Sequence, residues 1–347
     1  MRTITARAPI RICDCGGWTD TWFARHGRVF NIAIHPCAEV SIGVFPAGPE
    51  RPPVVLDVVD YGDRYAPALA PGRWDRHPLL EATIASVGLP RGLCVDVRIS
   101  SGVPAGAATG TSAAITIALV GALWRLNDRP VDRRAIARDA HEIETKWLGQ
   151  QSGIQDQICS ALGGVNDITM TSYPDAEVRP LVASAGFIAA LESRLSVVLL
   201  GRGHSSSDLH QRVIARLEGL GPECPGLQVI RRCAAEAVRA FEAEDLAALG
   251  LAMSANTDAQ RRLHDDLVCR DADTIIAAAR AHGAAGWKVN GAGGEGGSLT
   301  ILGADSTDVR QAMEDAIARA LPDSRQFRPS LDADGLHVVD ERDSSDR

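Results

Sequence analysis

The stretch Pro104-Ala-Gly-Ala-Ala-Thr-Gly-Thr-Ser-Ala-Ala114 runs without a break into a segment ending at Leu126 that is nearly all apolar. Small residues let a backbone come close to a ligand, and the loop ends where a helix must begin. The first N–H groups of a helix have no internal partner and carry the positive end of its dipole, so such a junction favours a phosphate. Thr111 and Ser112 fall on the first turn, where hydroxyls reach a phosphate or a Mg²⁺ ion. The loop lacks Gly-Lys-Ser/Thr and is not a Walker A loop. An ordinary capped helix start after a glycine turn would have the same composition, so both readings stand at this point. The segment Ser112–Leu126 itself predicts a helix buried on all sides.

Working outward, a second glycine-rich loop lies at Lys288-Val-Asn-Gly-Ala-Gly-Gly-Glu-Gly-Gly297. It contains a literal GxGxxG at Gly291, Gly293 and Gly296. A dinucleotide site needs a strand before that motif and a helix after it. Here the helix precedes and a strand follows, which excludes that reading. A run so rich in glycine is entropically costly to order, and a ligand-facing loop accounts for it better than a linker does.

The first hundred residues read mainly as strands, at Val29–Ile34, Ala38–Val44, Val54–Val59 and Leu93–Ile99. Val131–Leu148 predicts one helix, with Ile136, Ala140, Ile143 and Trp147 on its buried face. Strands follow at Val165–Met170 and Leu195–Leu200, and Ser172-Tyr-Pro-Asp175 suggests a domain boundary near residue 180. Beyond it helices dominate, at Asp208–Leu217, Gln228–Glu242, Asp245–Asn256, Asp271–His282 and Thr307–Leu321. A strand is expected at Ser298–Leu302 and a closing hairpin from Phe327–Leu331 to Leu336–Val339. The pattern is α+β, with domains at 1–180 and 181–340 and a frayed tail at 341–347.

The chain has 347 residues, with 36 basic and 44 acidic side chains and a formal charge of −8. An acidic balance argues against nucleic acid as a partner. Hydrophobic residues at 45% supply a core and exclude global disorder. The longest apolar run, Ala113 to Trp124, spans 12 residues. A membrane helix needs about 20, so no membrane partner is expected. The N-terminus shows no signal peptide. The eight cysteines show no zinc-finger or CxxC spacing and read as reduced thiols of a cytoplasmic protein.

Two carboxylates stand out. Glu144 lies next to buried-face Ile143 in His141-Glu-Ile-Glu-Thr-Lys-Trp-Leu-Gly149. Asp156 sits between Gln155 and Gln157 ahead of apolar Ile158. Either could take a proton from a hydroxyl or hold a metal, but taken alone each reads better as a solvated surface acid.

Taken together and in order, these pieces resemble the GHMP small-molecule kinases. Ala8-Pro-Ile-Arg-Ile12 with Gly16-Gly-Trp-Thr-Asp20 is similar to that family's opening strand and substrate loop. Pro104–Ala114 is similar to its ATP-phosphate loop, and Lys288–Gly297 to its C-terminal glycine loop. Within the family, Gly-Gly-x-Thr-Asp, Asn31-Ile-Ala-Ile34, Gln155-Asp-Gln157 and Gly163-Gly-Val-Asn166 resemble the sugar 1-kinase branch. That branch includes D-glycero-D-manno-heptose 7-phosphate kinase and, less closely, L-fucokinase.

The resemblance implies an N-terminal domain like ribosomal protein S5, a ferredoxin-like C-terminal domain and an active site in the cleft between them. It implies ATP and Mg²⁺ as cofactors and a sugar phosphate as the small-molecule substrate, and it leaves room for a homodimer. Carried over residue by residue, Asp156 is the catalytic base and Arg11 steadies developing charge. Pro104, Gly106, Ala107, Ala108, Thr109, Gly110, Thr111, Ser112 and Ala113 bind ATP, while Ser112 and Glu144 hold Mg²⁺. Gly17, Trp18, Thr19, Asp20, Asp156, Arg202, His204, Gly293 and Gly294 face the sugar. The implied reaction phosphorylates the anomeric hydroxyl of D-glycero-D-manno-heptose 7-phosphate, for nucleotide-activated heptose and surface polysaccharide. L-fucose or another hexose is the alternative acceptor, and a sugar-binding regulator without activity is a further alternative. Some positions depart from the family pattern. Thr111 replaces a serine, Trp18 a glycine and His204 an arginine, and Glu295 interrupts the glycine run.

Overall fold

The apolar stretch after Gly110 forms a helix enclosed on every side, and the rest of the first half is built around it. A computed structural model describes residues 2–70, 72–104, 106–201, 206–294 and 296–342, with side chains omitted for 206–210. In chain order the elements are β1 (Arg2–Cys15), β2 (Gly27–Pro46), β3 (Val54–Val58), β4 (Asp63–Tyr65), α1 (Pro78–Val87), β5 (Leu93–Ser101), α2 (Thr111–Leu126) and α3 (Arg133–Glu142). They continue with α4 (Gln155–Leu162), β6 (Val165–Ser172), β7 (Asp175–Leu181), α5 (Ala185–Arg194), β8 (Leu195–Leu199), α6 (Ser206–Leu220), α7 (Pro225–Glu242) and α8 (Leu246–Leu263). The last are α9 (Arg270–Ala281), β9 (Gly286–Val289), β10 (Ser298–Leu302), α10 (Thr307–Ala320), β11 (Arg325–Phe327) and β12 (His337–Arg342).

An eight-stranded sheet runs β12-β1-β2-β5-β3-β4, with β6 on β2 and β7 on β6. A four-stranded sheet runs β11-β8-β10-β9. The helix α2 packs on β1, β2, α1, α3, α4 and β12. Ile117, Leu119, Val120 and Leu123 are fully enclosed, as a helix apolar on all faces must be. At Gly121 the returning chain crosses the helix so closely that a Cβ would lie 2.9 Å from Leu336 Cδ2.

Several expectations are corrected. The strands expected at 29–34 and 38–44 are one strand, β2. Residues 27–32 pair with β6 and residues 38–46 with β5, while β1 follows both halves along the other edge. The turn at Tyr173-Pro174, expected near a boundary, closes the β6–β7 hairpin instead. The chain enters the second sheet at Leu195.

The expected closing hairpin does not form. Phe327 pairs with β8, whereas 337–342 leave for the first sheet and pair with Arg2–Arg7 of β1. Residues 337–340 therefore join the first domain's sheet. Glu341 and Arg342, expected in the frayed tail, pair with Thr3 and Arg2. The edge of β1 offers a row of unpaired backbone groups. Arg2 fixes the pairing through Asp340, at 3.0 Å from Nε to Oδ1 and 3.1 Å from Nη2 to Oδ2.

The helix expected over Val131–Leu148 is also interrupted. The Asp132 carboxylate caps α3, accepting from Arg134 and Ala135 amides. At Ile143–Trp147 the helix widens into a π-helical turn. The extra residue per turn rotates the side chains beyond it onto a different face. Ile136, Ala140 and Ile143 are buried as expected, but Trp147 is 42% exposed. Glu144 has turned inward instead and is 6% exposed.

Candidate active site

β1 supplies two charged side chains, Arg11 and Asp14, on its final turn of pleat before the Gly16-Gly17 turn. The Arg11 amide donates to Thr109 O at 2.9 Å, which ties the phosphate-type loop to the strand. The Arg11 guanidinium grips Asp156 with two parallel bonds, Nε to Oδ1 at 2.8 Å and Nη2 to Oδ2 at 3.1 Å. Its remaining nitrogen donates to Ala108 O. Asp156 stands on the first turn of α4. Although burial opposes the charge, Asp156 and Asp14 raise the Arg11 pKa above its ordinary value. The fork-on-carboxylate geometry fixes Asp156 in both position and orientation.

The loop Gly106–Gly110 ends in a left-handed Gly110 (φ 71°), after which α2 begins. A Cβ at Gly110 would make tight contacts, 3.3 Å from both Arg11 Cγ and Asp156 Cγ, and the positive φ itself disfavours a side chain. The second glycine loop closes from above. Gly291 is left-handed (φ 56°), and a Cβ there would sit 2.9 Å from Ala108 O and 3.1 Å from Arg11 Nη2. The two small-residue loops thus face each other across Arg11.

Asp14 holds the second loop in place. It is 1% exposed and accepts from the amide of Gly291 at 3.1 and 3.0 Å. It also pairs with the enclosed ammonium of Lys288, 3.2 Å away. Burial alone would raise the Asp14 pKa, but Lys288, Arg11 and the Gly291 amide outweigh it and hold the carboxyl below its usual range. Gln260 braces the same loop, accepting from Lys288 Nζ at 3.1 Å and donating to Gly291 O at 3.1 Å.

On the acceptor side, Trp18, Asp20 and Thr21 line the wall. Asp20 is 4% exposed and accepts from the Gln155 amide at 3.1 Å. Burial pushes its pKa up to about 6, and Asp156 and Asp14 add to the rise. Gly153 lies so close that a Cβ would meet Asp20 Oδ2 at 2.1 Å.

Glu144 closes the far end. Burial, with a smaller contribution from Asp156, raises its pKa to about 7. Its Oε2 accepts from Gln157 Nε2 at 2.9 Å. Oε1 is buried with no well-formed hydrogen bond, although the Ser152 hydroxyl is close enough to lower the pKa somewhat. A buried carboxylate oxygen left without a partner is costly. A hard divalent cation would remove that cost, and the exposed Ser112 hydroxyl opens onto the same cleft. The residues present fit a Mg²⁺ ion.

The cleft has a volume of about 310 Å³ and is lined by Arg11, Trp18, Asp20, Gly106, Ala108, Gly110, Thr111, Ser112, Ala113, Glu144, Asp156 and Gly293 from among the expected site residues. Asp156, Glu144 and Ser112 thus share one crevice with both glycine loops. Others expected there do not line it. Thr19 is fully buried, its hydroxyl donating to Gly16 O at 2.7 Å and accepting from the Arg28 amide at 3.2 Å. Gly17 builds the turn, its amide donating to Asp14 O at 3.1 Å. Ala107 and Thr109 are buried beneath the loop, Pro104 points to solvent, and the Gly294 amide bonds back to Leu267 O. Ala105, Arg202, His204 and Glu295 lie outside the described residues.

The residues missed were Asp14, Thr21, Gln151, Ser152, Gly153, Gln155 and Gln157. Asp14 was legible in principle as a carboxylate among cysteines and isoleucine on a strand, where an acid needs a partner. The short loop 151–153 carried no such signal.

An anion-receptive helix start, an arginine-clamped carboxylate and a buried acid fitted to a cation, all on one cleft, define a small-molecule kinase. The comparisons make the class specific. Residues 79–164 match the GHMP kinases N terminal domain and residues 234–323 the GHMP kinases C terminal domain. The chain belongs to the GHMP kinases and is an ATP-dependent phosphotransferase with an alcohol acceptor. It is 30% identical to a mevalonate kinase of Pyrococcus horikoshii over 270 residues, which cover 76% of this chain and 73% of that one. It is 27% identical to the bifunctional fucokinase/GDP-fucose pyrophosphorylase of Arabidopsis thaliana, over 90% of this chain and 31% of that longer protein. Its fold matches the crystal structure of a D-glycero-D-manno-heptose 1-phosphate kinase from Bacteroides thetaiotaomicron, with a TM-score of 0.70, 18% identity and coverage of 97% and 98%.

Proposed function

We propose that the protein transfers the γ-phosphoryl group of ATP to the anomeric hydroxyl of a sugar, and that the sugar is D-glycero-D-manno-heptose 7-phosphate. The observation that carries this reading is the Asp156 carboxylate, clamped by Arg11, opening onto the same cleft as Asp20 and the start of α2. In the proposed step the acceptor O–H gives its proton to Asp156 as its oxygen bonds to phosphorus, and the bond from phosphorus to the ADP oxygen breaks. Asp20 and the Trp18 wall hold the sugar. Amides of the Gly106–Gly110 loop and of α2 receive the phosphates, and Arg11 faces the developing negative charge. Glu144 and Ser112 would hold Mg²⁺, which supplies charge neutralisation when bound. The 1,7-bisphosphate formed would feed nucleotide-activated heptose for surface polysaccharide.

One observation favours a second reading, an acceptor without its own phosphate, such as L-fucose or another hexose. Among the described residues lining the cleft, Arg11 is the only basic one, and it is already committed to Asp156. Arg202 and His204, which the resemblance implies face the sugar, lie outside the described residues.

An ADP-release assay over heptose 7-phosphate, free heptose, L-fucose, galactose and mevalonate tests both readings. Highest kcat/KM with heptose 7-phosphate supports the first, and an unphosphorylated sugar in the lead supports the second. No turnover with any sugar overturns both: turnover of mevalonate alone leaves a kinase of a different acceptor, and no turnover of any acceptor leaves an inactive sugar-binding regulator, against which the shared placement of Ser112, Glu144 and Asp156 argues.

A further inference from the structure

Away from the cleft, three side chains of different chemistry meet where the chain returns to the first sheet. His35 and Cys37 flank Pro36 in the middle of β2, and Asp332 lies in the segment between β11 and β12. One ligand atom from each lies within 4.8 Å of the others, and no other trio of His, Cys, Asp or Glu among the described residues does so. Cys37 Sγ is 3.5 Å from Asp332 Oδ2. His35 Nε2 is 3.2 Å from the same oxygen.

These separations can be set against a known geometry. Zn–S of about 2.3 Å and Zn–N or Zn–O of about 2.0–2.1 Å at tetrahedral angles give edges of about 3.5 Å for S···O and about 3.3 Å for N···O. The observed edges agree with both. The His35 ring is half exposed; Nε2 faces Asp332 and Nδ1 lies 3.3 Å from Cys37 Sγ, so binding through one nitrogen requires the ring to turn.

The backbone beneath the trio is held in place. Asp332 N donates to Ala33 O at 2.9 Å, Gly164 N donates to Asp332 O at 2.6 Å, and His35 N donates to Ser330 O at 2.9 Å. Asp332 Oδ1 is occupied by the amides of Asp334 and Gly335, at 3.0 and 2.7 Å. The carboxylate is 7% exposed, and its second oxygen is left turned toward the thiol and the imidazole.

We propose that His35, Cys37 and Asp332 bind a borderline-soft divalent cation of the Zn²⁺ type, in a structural site that fastens the returning chain to β2. Thiolate and imidazole select such a cation over Mg²⁺, so the site is separate from the ion of phosphoryl transfer. On binding, the Cys37 S–H proton leaves to solvent and the thiolate pair forms the S–metal bond. One ring nitrogen and Asp332 Oδ2 supply two more pairs, the fourth position faces water, and no oxidation state changes. A cation there would join β2 to the segment that carries the chain from the second sheet back to the first, and it would stabilise the folded state by mass action.

The test uses the full chain, stripped with a chelator and titrated with Co²⁺ and then Zn²⁺. One equivalent of Co²⁺ should produce a near-ultraviolet thiolate charge-transfer band. Zn²⁺ should displace the band and raise the thermal midpoint. Cys37→Ser should abolish the band and weaken binding at least about 100-fold, since even an outer-shell partner is worth 10–100-fold. His35→Ala should weaken binding, and turnover of the metal-free Cys37→Ser protein should match wild type, which shows that it folds. No band at one equivalent of Co²⁺, or an undiminished band in Cys37→Ser, overturns the proposal. Asp332 is left unaltered because its carboxylate also caps the 332–335 turn.

Discussion

β1 carries one half of each of two ion pairs, Arg11 and Asp14, three residues apart in the chain, and the two meet opposite conditions. The Arg11–Asp156 pair joins β1 to α4 within the first half, and the Asp156 side chain is 27% exposed to the cleft. The Asp14–Lys288 pair joins β1 to β9 of the second sheet, and its side chains are 1% and 0% exposed. The chemistry is similar, but the solvent access differs. Water and ligands reach Asp156, so it can take and release a proton during a reaction. Asp14 borders the cleft almost without exposure, and its oxygens are taken up by Lys288 and the Gly291 amide, so it works as a tie that holds Gly291 over the phosphate loop. In the proposed reaction, exposure rather than residue type separates the acid that would react from the one that positions.

Substitutions at the two pairs should therefore give opposite signatures. Asp156→Ala should lower kcat by about 10²–10⁴-fold, the usual worth of a general base, while ATP affinity by titration calorimetry stays close to wild type. A near-normal rate would remove Asp156 from its role. Lys288→Met leaves a buried carboxylate unpaired, a loss of about 3–5 kcal/mol, visible as a lower thermal midpoint. The stability loss in Asp156→Ala should be smaller, because solvent reaches Arg11 once the carboxylate is gone.

Glu144 provides a pH test. Its folded pKa of about 7 lies above the ordinary carboxylate value near 4.5. Between those values the native state binds more protons than the unfolded state. Stability of the metal-free protein should therefore fall as pH rises through this window and level off above it. Glu144→Gln should remove that slope and stabilise the metal-free protein at pH 8 by up to about 3 kcal/mol, from about 1.4 kcal/mol per pKa unit. Denaturant midpoints at pH 5 and pH 8 check this. A smaller slope, ending near pH 6, should persist in the variant because Asp20 is shifted the same way. The smallest effect is expected for Thr111→Ser, which keeps the hydroxyl at the start of α2. Its kcat/KM should stay within about threefold of wild type, a change of under 1 kcal/mol.

Much of this site is legible in the sequence. Ser112–Leu126 is apolar at every phase of a helix and could only be enclosed, and its observed bounds differ from the expected ones by a single residue. The two glycine loops announced close backbone approach, and both take left-handed turns facing Arg11. Ser112, Glu144 and Asp156 stand out by their local chemistry, Asp20 and Trp18 by a motif match, and all five line one cleft. The failures were of a different kind. Thr19 and Gly17 sit inside a matching motif but serve the turn's own hydrogen bonds. A motif preserves a loop's shape as well as its ligand contacts, and the letters alone do not separate the two.

Local chemistry is written in neighbouring residues, so helix α2, the loop compositions and the ordered kinase motifs were legible from the chain. Long-range partners are not written there. Any strand edge with the right alternation could have received residues 337–342, and the edge of β1 was chosen by the packing of Leu336 over Gly121 and by Arg2 on Asp340. The π-helical turn that faces Glu144 inward and the meeting of Asp14 with Lys288 likewise required the packed molecule. They depend on what lies opposite in space, and that is settled only when burial and polar pairing are satisfied together.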